Sequence, residues 1–88
     1  MRTKEKIILT LKQHYFFEGH ELDDYTRNRK IKELDLDSIS MLELFLIIEN
    51  SFELEGKISD HLDAAKISEY SVDNFFNEIA KAVDKMNA

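Results

Sequence analysis

Residues 34–39 read Leu-Asp-Leu-Asp-Ser-Ile, and residues 41–52 read Met-Leu-Glu-Leu-Phe-Leu-Ile-Ile-Glu-Asn-Ser-Phe. The second stretch is the most apolar of the chain. Asp37 is a good N-cap, because a carboxylate can accept hydrogen bonds from N–H groups of a first turn. The pattern therefore predicts a helix that starts at Ser38 and ends at residue 51 or 52.

Length and composition indicate one small globular domain, residues 1–88, with a modest core. A hydrophobic content of 43% argues against disorder. No run of about 18 apolar residues occurs, so no membrane span is expected. The charged N-terminus is not typical of a secretory signal. The chain has no cysteine, which excludes disulfides, and we expect a cytoplasmic protein.

Charge is unevenly distributed along the chain. Residues 1–32 carry a net charge of +3, residues 33–78 carry −10, and the whole chain carries −6. An acidic surface repels nucleic acid phosphates and attracts basic protein partners, so no nucleic-acid partner is expected. A solvated face that keeps a small protein soluble would explain the same charges.

Helical spacing predicts two further long helices. The first covers about residues 4–18, with Thr3 as its cap and Gly19 after its end. Its apolar stripe comprises Ile7, Ile8, Leu11 and Tyr15. The last helix starts after Ser71, and its stripe comprises Val72, Phe75, Phe76, Ile79 and Val83.

The connections are polar, and they contain one more predicted helix. Residues 19–36 form a long loop, and we expect its scattered apolar residues to pin it to the bundle: Leu22, Tyr25, Ile31, Leu34 and Leu36. A short helix is predicted near residues 60–65, with Ser59 as its cap. The predicted fold class is all-α: a small antiparallel four-helix bundle, with three main helices and one short helix, and a long first loop.

Ser38 lies where a helix favours an anion, because first-turn N–H groups and the positive end of the dipole meet there. Such a position suits a phosphodiester made on the hydroxyl. Taken alone, an Asp-Ser pair more often only begins a helix. A catalytic serine would need an oriented base, and His14, His20 and His61 lie in no motif. No metal site is predicted either.

Three stretches of the chain resemble the acyl carrier protein family. Residues 34–39 are similar to its Asp-Ser-Leu-type motif at the start of the second helix. The pair Glu43-Leu44 lies five residues after the serine, as in that family, and Glu49 with Phe52 matches its closing Glu-x-x-Phe. Residues 66–72 resemble the family's segment before the last helix.

The resemblance implies that Ser38, with Asp37 as the adjacent motif residue, carries 4′-phosphopantetheine taken from coenzyme A. The thiol of this arm would hold acyl groups as thioesters for fatty acid, polyketide or related lipid biosynthesis. The chain would then be no enzyme but a monomeric cosubstrate of other enzymes. The implied partners are a phosphopantetheinyl transferase and an acyltransferase, ketosynthase or acyl-activating ligase.

Departures from the family pattern keep other functions open. Asp35 stands where glycine is usual, Ile39 where leucine is commoner, and Ser40 where an acid is frequent. An aminoacyl or peptidyl carrier is the alternative, because Asp-Ser-Ile motifs also occur there. An unmodified helical adaptor is a further alternative of a different class, and a small esterase is the least supported.

The second helix has more apolar residues than one buried face can accept. We expect at least one or two of Met41, Leu44, Phe45 and Ile48 near the surface, in a mixed apolar and acidic contact face. The predicted partner-binding residues are Ile39, Met41, Glu43 and Glu49.

Two further sets of residues have more than one interpretation. Candidates to line a shelter for an acyl chain, or simply to form the core, are Ile39, Leu42, Leu46, Ile67, Phe75 and Ile79. A basic cluster could pair with nearby carboxylates or contact a dedicated partner, and it comprises Arg27, Arg29, Lys30 and Lys32.

Overall fold

Three α-helices carry the fold in the computed structural model of this chain: α1 (Thr3–Gln13), α2 (Ser38–Ser51) and α3 (Val72–Met86). The structure describes residues 2–14, 28–34, 38–63 and 65–87. Within those residues there is no strand, and the all-helical prediction is confirmed. The start and end predicted for α2 are confirmed as well.

Helix α3 provides the apolar surface on which the other helices pack. The Ser71 side-chain oxygen accepts a hydrogen bond from the Asn74 N–H at 3.1 Å, which caps the first turn. The five predicted stripe residues are all buried, which confirms both the start of this helix and its inner face. Both features follow from the sequence because a capping serine and a period of 3.6 residues coincide there.

Phe75 lies at the centre of the core. Its ring centroid is 6.3 Å from that of Phe45 in α2 and 5.9 Å from that of Phe76. Helix α1 packs against both α2 and α3. The radius of gyration, 12.0 Å, equals the roughly 12 Å expected for a compact chain of this length. None of the helices in the described part of the chain has the length and apolarity needed to cross a bilayer.

The start of α1 differs from the prediction. Thr3 is the first helical residue rather than the cap, and Arg2 occupies the N-cap without a side-chain hydrogen bond. The Thr3 hydroxyl donates instead to Asp84 Oδ1 at 2.6 Å and so ties α1 to α3. The predicted continuation to residue 18, including Tyr15 and Gly19, lies outside the described residues.

Two backbone hydrogen bonds tie the end of the first loop to the start of α3. The Ile31 N–H donates to the Tyr70 carbonyl at 2.9 Å, and the Val72 N–H donates to the Arg29 carbonyl at 2.7 Å. We call segments 29–31 and 70–72, joined in this way, the neck. Ile31 is buried, as predicted for a residue that pins the loop. Leu22, Tyr25 and Leu36 lie outside the described residues.

The neck is flanked by a small charge cluster. Lys30 and Lys32 each place Nζ 3.5 Å from a carboxylate oxygen of Glu69. The charges of Lys32 and then Lys30 lower the pKa of the Glu69 carboxyl below its ordinary value. For these two lysines, pairing with a nearby carboxylate is therefore observed, whereas Arg27 lies outside the described residues.

The short helix predicted at residues 60–65 is wrong. Two 3-10 helices, Ile58–His61 and Ile67–Glu69, connect α2 to α3 instead. Ser59 lies inside the first of them, and Lys57 is its N-cap. The Asp60 N–H donates to the Lys57 carbonyl, an i to i+3 bond, so the turn is tighter than an α-helix.

Helix α2 ends in a Schellman motif built on a residue other than glycine. The Leu54 N–H donates to the Glu49 carbonyl at 2.9 Å, and the Glu53 N–H donates to the Asn50 carbonyl at 3.3 Å. Glu53 has φ of 53°, in the left-handed region where a Cβ atom is unfavourable.

Replacement of this residue by glycine should stabilise the protein. We expect Glu53→Gly to raise the free energy of unfolding by about 1 kcal/mol, because glycine adopts this conformation without a steric cost. Urea denaturation measures the change. Glu55→Gly removes the same charge from an exposed residue nearby and should give no gain. Equal effects of the two substitutions would refute the strain argument.

The Glu69 cluster predicts a pH effect of defined sign. Because the folded pKa of this carboxyl is lowered, its stabilising contribution is present above the unfolded pKa and is lost as pH falls through the folded value. A carbon-detected NMR titration should give a Glu69 midpoint below that of an ordinary glutamate. Lys30→Gln with Lys32→Gln should raise this midpoint, and Lys66→Gln, which removes a lysine paired with Asp63, should not.

Candidate functional site

The start of α2 lies at the protein surface. Ser38 is its first residue, and the side chain of the next residue, Ile39, is 75% exposed. The first turn contains no acidic residue. A helix start of this kind favours an anion, because its first N–H groups have no intrahelical acceptor. Asp37 lies outside the described residues.

An apolar stripe continues from this helix start along the outside of α2. Ile39, Leu42 and Leu46 are 75%, 61% and 55% exposed. Their spacing of three and four residues places them on one helical face. We call these three side chains the outer stripe. Contiguous exposed apolar residues typically mark a contact surface, whereas single ones need no explanation.

A surface groove runs beside the outer stripe. It has a volume of about 230 Å³ and lies between α2 and the 3-10 helix that follows it. Its apolar lining comes from Leu42, Phe45 and Leu46, and its polar lining comes from Glu49, Lys57 and Ser59. The groove thus has apolar walls on the helix side and polar groups at the far end of α2.

The two predicted glutamates have different surroundings. Glu43 is exposed. Glu49 is half-buried, and its Oε2 accepts a hydrogen bond from the Ile58 N–H at 2.9 Å. Ile58 is fully buried, so this carboxylate holds the 3-10 helix against the end of α2. Glu49 therefore shapes the groove as well as lining it.

Of the four apolar residues of α2 from which at least one or two were expected near the surface, only Met41 is partly exposed. Leu44, Phe45 and Ile48 are buried in the core, and Met41 is half-buried against it. The exposed positions are instead Leu42 and Leu46, together with Ile39. The reason is that α2 is apolar on all sides, so the sequence alone does not show which face meets α1 and α3.

The proposed shelter residues are not brought together inside the protein. Ile39, Leu42 and Leu46 are exposed at the protein surface. Ile67 is half-buried, and Phe75 and Ile79 belong to the closed core. Lys57 and Ser59 were not predicted at this site. The hydrogen bond from Ile58 to Glu49, which no sequence pattern predicts, helps to hold them beside α2. No group of three metal-ligating side chains assembles within the described residues.

Comparison with known proteins found no relative: no protein-family model, curated protein or solved structure matches the chain.

Removal of the Glu49 carboxylate should destabilise the protein. Glu49→Ala leaves the buried Ile58 N–H without its acceptor, which costs about 1–3 kcal/mol. Glu49→Gln keeps an acceptor oxygen and should cost less. Chemical denaturation measures both, with the exposed Glu43→Ala as control, expected within about 0.5 kcal/mol of the original protein. A Glu43→Ala loss as large as that of Glu49→Ala would contradict this role.

Proposed function

We propose that this chain is an acyl carrier protein that holds 4′-phosphopantetheine on Ser38. The single observation that carries the proposal is the position of this serine. It is the first residue of an α-helix whose start is exposed, whose first turn lacks carboxylates and whose outer side is apolar. The similarity of the sequence motifs to the acyl carrier family gives that position its chemistry.

The residues at the helix start fit a phosphodiester. In the modification step, the Ser38 hydroxyl oxygen bonds to the phosphorus of coenzyme A that bears the pantetheine. Adenosine 3′,5′-bisphosphate leaves, and the hydroxyl proton passes to a base of the transferase. The chain keeps one negative charge beside the N–H groups of α2, where the helix dipole stabilises it.

The bound arm would supply a thiol, which the cysteine-free chain lacks. The protein's own residues would bind, orient and present the arm, and the chain would serve separate enzymes as their cosubstrate. A flexible arm raises the effective concentration of its cargo at each enzyme it visits. The acyl groups are intermediates of fatty acid, polyketide or related lipid synthesis.

The fold is compatible with this function. In the proposed arrangement, residues 58–69 take the place of the short helix of a four-helix carrier bundle, here as two 3-10 helices. The shared core holds α2 in place against α1 and α3, and in this proposal it fixes the position of the helix start to which the arm is attached. We propose a cytoplasmic, monomeric protein.

The partners follow from the same proposal. A phosphopantetheinyl transferase would modify Ser38, and an acyltransferase, ketosynthase or acyl-activating ligase would use the arm. Ile39 and Glu43, both exposed, are suited to contact them. Met41 and Glu49 are half-buried and would contribute at the edge of such a contact.

The modification itself provides the test. Incubation with coenzyme A and a broad-specificity phosphopantetheinyl transferase should increase the intact mass by about 340 Da, the mass of the arm. The gain should vanish in Ser38→Ala. It should persist in Ser40→Ala, which removes a second serine from the same turn.

The mass measurement distinguishes the carrier proposal from its alternatives. If the mass stays unchanged under conditions that modify a known carrier, the carrier proposal is refuted and the unmodified helical adaptor becomes the leading alternative. If the mass increases, the cargo of the protein isolated from its host distinguishes an acyl from an aminoacyl or peptidyl carrier.

A further inference from the structure

A cleft lies between the start of α1 and the outer side of α3. One wall consists of residues 2–4, and the other consists of positions 74, 77, 81 and 84 of α3. These four positions are separated by three, four and three residues, so they form one row along the helix. We call this space the joint cleft, because it follows the line where the two helices meet.

Two side-chain contacts hold the joint cleft in shape. The Thr3 hydroxyl donates to Asp84 Oδ1 at 2.6 Å, and Lys4 Nζ lies 2.5 Å from Asp73 Oδ1. Asp73 and Asp84 are separated by roughly 16 Å along the axis of α3. Two consecutive residues of α1 thus reach in opposite directions and fasten this helix to α3 at both ends of the row. The cleft is therefore formed by contacts within the protein itself.

The size of the joint cleft suits a small molecule. Its volume is about 560 Å³, within the range of roughly 300–1,000 Å³ that is typical of ligand sites. Ala80, which is half-buried, lines it with only a methyl group. A longer side chain at this position would fill part of the space between the two fastened ends.

The joint cleft presents hydrogen-bond donors that are not used elsewhere. In the part of the chain that the structure describes, the Arg2 guanidinium has no carboxylate partner. The side-chain amides of Asn74 and Asn77 make no hydrogen bond there either. Asn77 is half-buried, and polar groups away from bulk water are normally hydrogen-bonded. These three side chains are therefore available to a polar ligand.

The local charge favours an anion, although the whole chain is acidic. The lining contains three cations and one carboxylate, whereas the chain carries a net charge of −6. The two lysines each have a carboxylate partner, so Arg2 is the cation left to bind a ligand. Charges more than about 8 Å away are largely screened at physiological ionic strength. The molecule measures 32 × 28 × 23 Å, so carboxylates on its far side oppose such binding little.

The number of donors indicates which anion fits. A guanidinium binds phosphate and carboxylate in a bidentate manner. A phosphate monoester offers three terminal oxygens, which matches one guanidinium and two amides, whereas a carboxylate offers two. At the other end of the row, Asp84 uses one oxygen to accept from Thr3, and its second oxygen can accept from a ligand hydroxyl.

We propose that the joint cleft binds a small phosphorylated molecule that also bears a hydroxyl group. The phosphate lies against Arg2, Asn74 and Asn77, and the hydroxyl group donates to Asp84. Such a ligand bridges α1 and α3, and it stabilises the folded protein because it binds only where the two helices meet. The site does not involve Ser38 and is independent of the function proposed for that residue.

Amide NMR titration with glycerol 3-phosphate, at constant ionic strength, tests this site. We expect saturable shift changes at the start of α1 and along the row of α3, together with a higher melting temperature. Arg2→Gln should weaken binding by about tenfold, the loss typical of a charge-assisted hydrogen bond. Lys12→Gln removes an exposed cation from the last turn of the same helix and should leave the affinity unchanged.

A variant that keeps every charge tests the space separately. Ala80→Leu should abolish binding, because the larger side chain occupies the joint cleft. The Arg2 side chain does not cap α1, so Arg2→Gln should fold normally. Well-dispersed spectra establish that each variant is folded, and Arg2→Gln keeps the proposal testable if Ala80→Leu is not.

The remaining outcomes would overturn the proposal. Shift changes that grow linearly with every anion, chloride included, would show screening without a site. Saturation by acetate and not by glycerol 3-phosphate would assign the cleft to carboxylates. Equal affinity for inorganic phosphate would refute the contact with Asp84, and an unchanged affinity in Arg2→Gln would place binding elsewhere. Ser38→Ala should titrate like the original protein, so a failure of the carrier proposal is recognised separately.

Discussion

The fold depends on one constraint, which is that α2 carries more apolar side chains than a single helical face can bury. Leu44, Phe45 and Ile48 fill the core side, and Phe45 reaches the ring of Phe75. Apolar residues on the opposite face of α2 then lie at the protein surface. The exposed stripe is thus a direct result of the geometry that builds the core, since at 3.6 residues per turn a residue that does not face the core faces solvent.

Helix α3 sets the frame in which this choice is made. It is strongly amphipathic, begins at a capping serine and presents one continuous apolar face. Helix α1 joins it through buried residues and through the hydrogen bond from Thr3 to Asp84. Only the orientation of α2 on this frame decides which of its side chains form a surface for ligands or partners.

The sequence was sufficient where local chemistry and periodicity agree. Ser71 and the stripe behind it predicted α3 correctly, and the limits predicted for α2 were also correct. It was insufficient where a distant contact decides the local structure. The Thr3 hydroxyl donates to Asp84 instead of capping its own helix, and the Ile58 N–H donates to Glu49, which holds the 3-10 helix Ile58–His61 beside the end of α2.

The same division holds for the candidate site. Position 38 at the start of a helix follows from Asp-Ser and the apolar run after it. The identity of the exposed residues of α2 does not follow from the sequence, because a helix with apolar residues on every side carries no signal for its outer face. The groove arises from two segments eight residues apart, and its polar end exists only once Lys57 and Ser59 fold back beside Glu49.

The neck has a consequence for how the chain folds. In sequence, 58 residues separate α1 from α3, but only 16 separate Gln13 from Lys30. Once the neck has closed, α1 reaches α3 across the shorter path. The logarithmic dependence of loop entropy on length makes this docking easier by about 1 kcal/mol. Two backbone hydrogen bonds therefore let the segment that contains α2 close first as a unit, and they lower the entropic barrier to adding the first helix.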